Sequence, residues 1–237
     1  MNVDKSIISV EKAARNFELA GETVSVLKSI DLNVEPGEFV TLIGRSGSGK
    51  TTLLNLLSGL DSPTSGKVLF EDQNMAELNE GKLTELRRSK LGFVFQSFGL
   101  LPLLSAFENV ELPLRISGLG SREREKQTRK ALDIVGLVGR SSHRPYELSG
   151  GEQQRVAIAR AIVHNPVLIL ADEPTGELDS VNSRAIFGLF KQMVEENNMA
   201  VVAATHDSNL LEMSDRVLRL SEGYIEQDAT YGQRFRD

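Results

Sequence analysis

The sequence of 237 residues predicts an α/β fold: a mostly parallel central sheet, an N-terminal antiparallel β layer and an inserted helical lobe. Two observations carry this. Strand-length apolar runs alternate with helical patterns at both ends of the chain, as in parallel strands joined by helices. Between them, residues 97–161 are mostly helical in pattern and interrupt the alternation.

Taken in order, residues 7–10 and 26–34 predict strands of the β layer, stopped by the turn at 35–38. Residues 39–43 form a compact apolar strand, followed by a glycine-rich loop and a helix over 50–57. The Ser-Pro-Thr-Ser-Gly cluster at 62–66 is a turn, and 67–70 resumes strand character. Another strand falls at 91–95. Within the middle stretch, 122–135 is a helix with a strongly charged face. A further helix follows residue 149, with Val156, Ile158, Ala159 and Ile162 at helical spacing. Strands return at 167–171, 200–204 and 216–220, with a helix over 180–194.

Composition narrows the function. Lys plus Arg is 27 and Asp plus Glu is 33, a net charge of −6, which argues against broad nucleic-acid binding. There is no cysteine and only three histidines, so thiol chemistry and Cys- or His-built metal sites are not expected. The longest apolar runs are of strand length, short of the ~20 residues of a spanning helix. The first residues lack a secretory pattern, so the expected compartment is the cytoplasm.

Gly44-Arg45-Ser46-Gly47-Ser48-Gly49-Lys50-Thr51 matches the phosphate-binding pattern G-x-x-x-x-G-K-[ST] in full, with Thr52 next. It lies where such a loop works, after an apolar strand and opening a helix. Glycines let the backbone wrap round phosphate oxygens, and the helix start supplies amides. Lys50 would reach the β- and γ-phosphates, and Thr51 would ligate Mg²⁺. These residues predict a P-loop NTPase that uses a nucleoside triphosphate with Mg²⁺. Asp172 and Glu173 end an apolar strand at the edge where ligands of parallel sheets gather. Asp172 fits a Mg²⁺ carboxylate and Glu173 the group that polarises the attacking water. Leu148-Ser149-Gly150-Gly151-Glu152-Gln153 opens another helix: alone it is a capping box, yet it also makes a second anion-binding helix start.

With these motifs together, the sequence resembles an ATP-binding cassette ATPase, the motor subunit of ABC transporters. Leu148–Gln153 with Gln154-Arg155 is similar to that family's signature motif. The resemblance spans nearly the whole chain and implies further roles. Gln96 matches the glutamine that senses Mg²⁺ and faces the transmembrane partner. Gly176-Glu177-Leu178-Asp179 resembles the D-loop, with Asp179 as its aspartate. Glu177 stands where a small residue is commoner. His206 matches the switch histidine that contacts the γ-phosphate. Phe17 stands where an aromatic stacks on adenine, the alternative being a strand aromatic packed on the β layer. Residues 93–98 and 101–113 resemble the lipoprotein-release, macrolide-efflux and cell-division-associated subfamily.

The resemblance implies one ABC ATPase domain over 1–237, with 1–96 and 162–237 as the nucleotide-binding core with its β layer and 97–161 as the lobe. It further implies an ATP-dependent head-to-tail dimer and a separate permease at the inner face of the membrane. Each copy's Ser149, Gly150, Gly151 and Glu152 would complete the other's nucleotide site. Phe98, Leu101 and Leu103 are either a docking face for that permease or part of the lobe's own core.

Overall fold

The computed structural model describes residues 6–19 and 21–230. Two sheets make up its β structure. The first has the order β2-β1-β4-β5, from β1 (Ile8–Leu19), β2 (Glu22–Val34), β4 (Ser65–Phe70) and β5 (Gln73–Asn74), all antiparallel. The second has the order β10-β9-β3-β8-β7-β6. Its strands are β3 (Phe39–Ile43), β6 (Leu91–Val94), β7 (Leu168–Asp172), β8 (Ala200–Thr205), β9 (Arg216–Ser221) and β10 (Tyr224–Thr230). All its pairs are parallel except β9 with β10.

The helices are α1 (Lys50–Leu57), α2 (Glu80–Lys90), α3 (Ala106–Ile116), α4 (Ser121–Ile134), α5 (Gly150–Ile162) and α6 (Ser180–Asn197). β1, α2 and β10 depart most from the sequence pattern. β1 continues nine residues beyond position 10. Its pairing with β2 shifts register three times between Val10 and Asn16, so no period-2 alternation survives there. α2 buries no residue completely and packs on the core only through the half-buried Leu83 and Leu86, so its apolar stripe is thin; Asn79 starts it by accepting the Lys82 N–H at 2.9 Å. β10 pairs at one edge of the large sheet, antiparallel to β9.

The large sheet separates two cores, and alternate residues of its strands serve opposite sides. Leu168, Leu170, Ala200, Val202 and Ala204 face the β layer and α1. Ile169, Ala171, Val201 and Ala203 face α3, α4, α5 and α6. Phe39 joins the second cluster, with ring centroids 5.6 Å from Phe187 and 6.2 Å from Phe190. These aromatics hold α6 on the sheet and so fix the exit of β7. The lobe helices share this cluster rather than having a core of their own.

Before α3, residues 97–105 form a loop tied down by two side chains: Arg160 donates to the Phe98 and Gly99 carbonyls at 3.0 and 2.6 Å, and the buried Asn109 holds the rest. Asn109 accepts the Leu101 N–H at 2.8 Å and donates to the carbonyls of Leu101, Leu104 and Ser105.

Replacing Phe187, which has no exposed surface, by Ala should cost about 3–5 kcal/mol of stability. Urea unfolding followed by far-UV circular dichroism would measure it.

Candidate active site

β3 delivers the chain into the loop 44–49, which closes on itself: the Ser48 N–H donates to the Arg45 carbonyl at 3.1 Å. Gly49, at φ 105°, begins α1 with no side-chain cap, so the first amides of the helix stay available to a ligand. A Cβ there would come within 2.8 Å of Leu27 Cδ2 in β2. The loop is thus pressed between its own helix and the β layer.

Lys50 is 8% exposed and donates to the Gly44 carbonyl at 2.9 Å. Its Nζ also lies 3.3 Å from Glu173 Oε1. The other carboxylate oxygen of Glu173 accepts from His206 Nδ1 at 2.8 Å. Glu173 follows β7 with a left-handed φ of 46°, and its N–H is held by the Ala204 carbonyl at 3.0 Å. A non-glycine residue pays for that conformation with strain of about 1–3 kcal/mol, which accumulates at functional sites.

Asp172, the last residue of β7, lies beneath. Burial pushes its carboxyl above the ordinary value, the Thr51 hydroxyl pulls it back, the Glu173 charge raises it and Lys50 opposes. Asp172 Oδ1 and Ser48 Oγ are both buried without a hydrogen-bond partner. An orphaned carboxylate oxygen beside a threonine hydroxyl suits Mg²⁺, a hard cation that takes few protein ligands alongside substrate phosphates. No cluster of three or more His, Cys, Asp or Glu side chains able to hold a metal occurs among the described residues.

These elements border a cleft of about 750 Å³. It is lined by Ser46, Gly47, Gly49, Lys50, Thr51 and Thr52 from the loop and α1, and by Gln96, Glu173 and His206 from the ends of β6, β7 and β8. Val26 of β2 also lines it and was not expected, because an apolar strand residue carries no mark of a ligand. Gln96 Nε2 packs so near Gly176 that an added Cβ would come within 3.1 Å. Gly44 and Arg45 instead line a neighbouring pocket of about 530 Å³, which shares His206 with the cleft. Phe17 is outside the lining: it pairs with Val24 across the β layer, and the Arg15 guanidinium sits 4.3 Å over its ring.

The start of α5 lies in a separate cleft of about 560 Å³ that includes Ser149, Gly151, Glu152, Arg140, Arg155 and Asn182. The two clefts share no lining residue. A capping box closes this helix start. Ser149 Oγ accepts the Glu152 N–H at 3.3 Å, and the Glu152 carboxylate accepts both the backbone N–H and the hydroxyl of Ser149 at 2.9 Å. The Ser149 backbone bond leads in holding the Glu152 carboxyl below its ordinary value, with Ser149 Oγ and Arg140 adding to it. Gly150 lines neither cleft. Gly151 is pressed against Asn182, where a Cβ would come within 2.7 Å of Oδ1. Asn182 in turn donates to Asp179 Oδ2 at 2.7 Å, and Asp179 caps α6.

A family profile described as ABC transporter matches residues 27–176. The chain belongs to the ABC transporter family. This ABC ATPase is 42% identical over 226 residues to an uncharacterized ABC transporter ATP-binding protein, MJ0796, of Methanocaldococcus jannaschii, covering 94% of this chain and 96% of that one. It is 45% identical to the lipoprotein-releasing system ATP-binding protein LolD of Legionella pneumophila, over 92% of this chain and 96% of LolD. A dimeric post-hydrolysis structure of MJ0796 bound to ADP and Pi superposes with a TM-score of 0.87 at 41% identity, covering 94% of this chain and 98% of that one. The chain is therefore an ATP-binding, ATP-hydrolysing transporter subunit of the group that contains LolD and the macrolide exporter MacB.

Lys50→Ala removes the cation at the centre of the larger cleft. Turnover, followed as phosphate release, should fall about a hundredfold or more.

Proposed function

We propose that this ABC ATPase works as a head-to-tail dimer, clamping two MgATP molecules between the P-loop cleft of one copy and the α5 start of the other. One observation carries the proposal: the two anion-binding helix starts of a single chain open into clefts with no lining residue in common. A twofold arrangement brings each to the other's counterpart. The MJ0796 relative, described as dimeric with ADP and Pi bound, supports it.

In this mechanism the amides of residues 46–52 and the Lys50 ammonium bind the phosphates, with the Phe17 ring stacking on the base. Thr51, Asp172 and Gln96 would hold Mg²⁺, which would offset phosphate charge. Lys50 turns from Glu173 to the phosphates, leaving the Glu173 carboxylate to accept a proton from the attacking water. His206 keeps Glu173 aimed and meets the γ-phosphate. Ser149 and Gly151 of the second copy close the site and exclude water, and Asp179 supports them through Asn182.

Hydrolysis then drives a separate permease from the cytoplasmic face of the membrane. MacB proteins, described as ATP-binding/permease proteins, match this chain over only 34% of their length in Wolinella succinogenes. No helix among the described residues is long and apolar enough to cross a membrane. The loop at 97–105 leaves Leu101 and Leu103 exposed, at 44% and 81%, rather than in the lobe's core, while Phe98 is half-buried. Those two leucines favour the docking alternative for this loop.

Glu173→Gln should slow hydrolysis by about two to three orders of magnitude. It should also yield a dimer in ATP and a monomer in ADP by size-exclusion chromatography with light scattering; a monomer in saturating ATP would refute the clamp. Leu103→Glu should shift subunit stability by less than about 0.5 kcal/mol while abolishing stimulation of ATPase by the reconstituted permease. Stimulation equal to wild type would exclude the loop from docking.

A further inference from the structure

The side chains of Glu177, Arg45 and Arg219, near the site, make no hydrogen bond or ion pair among the described residues. Arg45 and Arg219 line the 530 Å³ pocket together with Gly44, His206 and Ser208, and no carboxylate lines it. Two unpaired guanidiniums in one concavity make it a receptor for an anionic group. Glu177 is exposed on the loop between β7 and α6.

The surroundings of each group say how they meet. The 176–179 segment flanks the start of α5: an added Cβ on Gly150 would lie 3.6 Å from Leu178 Cδ2, and Gly151 abuts Asn182, which is bonded to Asp179. The arginine pocket flanks the P-loop cleft, with His206 lining both. In the proposed clamp the α5 start of one copy covers the P-loop cleft of another, which brings the segment beside the first close to the margin of the second.

We propose that Glu177 of each copy enters the partner copy's pocket between Arg45 and Arg219, forming an ion pair across the dimer interface. The inference rests on the head-to-tail clamp proposed above and adds a residue to it. It also gives the two nucleotide sites a link. The Arg45 carbonyl accepts from Ser48 N–H at 3.1 Å and lies 3.4 Å from Lys50 Nζ, so a partner that holds Arg45 acts on the P-loop lysine. Glu177 is a positioning residue, and it touches neither nucleotide nor water.

The test uses the full chain carrying Glu173→Gln, with ATP, and reads the dimer dissociation constant by sedimentation velocity. Glu177→Ala and Arg219→Ala should each weaken the dimer about tenfold, the symmetry counting each pair twice. Their combination should be hardly weaker than either alone, and Glu177→Arg with Arg219→Glu should recover most of the loss. Raising salt should weaken the parent more than the Glu177→Ala variant. If the parent dimerises and the two alanine effects simply multiply, the ion pair is overturned while the clamp survives. A parent that stays monomeric in ATP overturns both.

Discussion

Glu173 reaches two partners at once, Lys50 Nζ at 3.3 Å and His206 Nδ1 at 2.8 Å, and it does so from a left-handed backbone. The sheet makes that possible. β3, β8 and β7 are adjacent and parallel, so the P-loop, His206 and the Asp172–Glu173 pair all emerge at one edge. β6, on the far side of β7, sends Gln96 to the same edge. Each of the four strands thus contributes through the few residues after its end. Their spacing is fixed by backbone hydrogen bonds rather than by the site's own side chains. The strained turn at Glu173 can persist because the strands on which it stands are buried on both faces.

Much of this was legible in the sequence. The P-loop, the carboxylate pair and the signature stretch are local motifs, and local motifs survive in one dimension. The parallel strands were legible too, because a strand with both faces buried reads as an unbroken apolar run. Illegible features had no such trace. The second half of β1 is bulged and half-exposed, so its alternation is broken. α2 has an apolar face of only two leucines, Leu83 and Leu86, and Val26 lines a cleft while looking like any strand residue. Nor could the sequence decide whether Leu101 and Leu103 were core. That depended on Asn109, whose buried amide holds the loop in place with its leucines outward.

In the proposed clamp, phosphate recognition is divided between two surfaces with different internal balances. At the P-loop, the positive Lys50 is offset by Glu173 in a nearly dry setting, so a polyphosphate competes directly with an internal carboxylate. At the α5 start, Ser149 is engaged by Glu152, and Glu152 is offset by Arg140 at 3.1 Å. The P-loop cleft combines a buried cation with a carboxylate pair. The α5 start has no buried cation, and its contribution depends on amides and a hydroxyl. The asymmetry suits a cleft that holds a ligand and a surface that covers it.

The alternation along β7 sets where the chain can change length. Leu168 and Leu170 belong to one core, Ile169 and Ala171 to the other, and Asp172 follows without a spacer. Inserting a single residue in this strand would exchange the two cores' side chains and carry the carboxylates onto the wrong faces together. Insertions and deletions are therefore barred from the strands that bear the chemistry, where only replacement remains open to evolution. The turn around Gly118 and Gly120 is different: nothing lies within 4 Å of a Cβ at either glycine. Lineages can lengthen the lobe there, between α3 and α4, without shifting any strand that carries the catalytic edge.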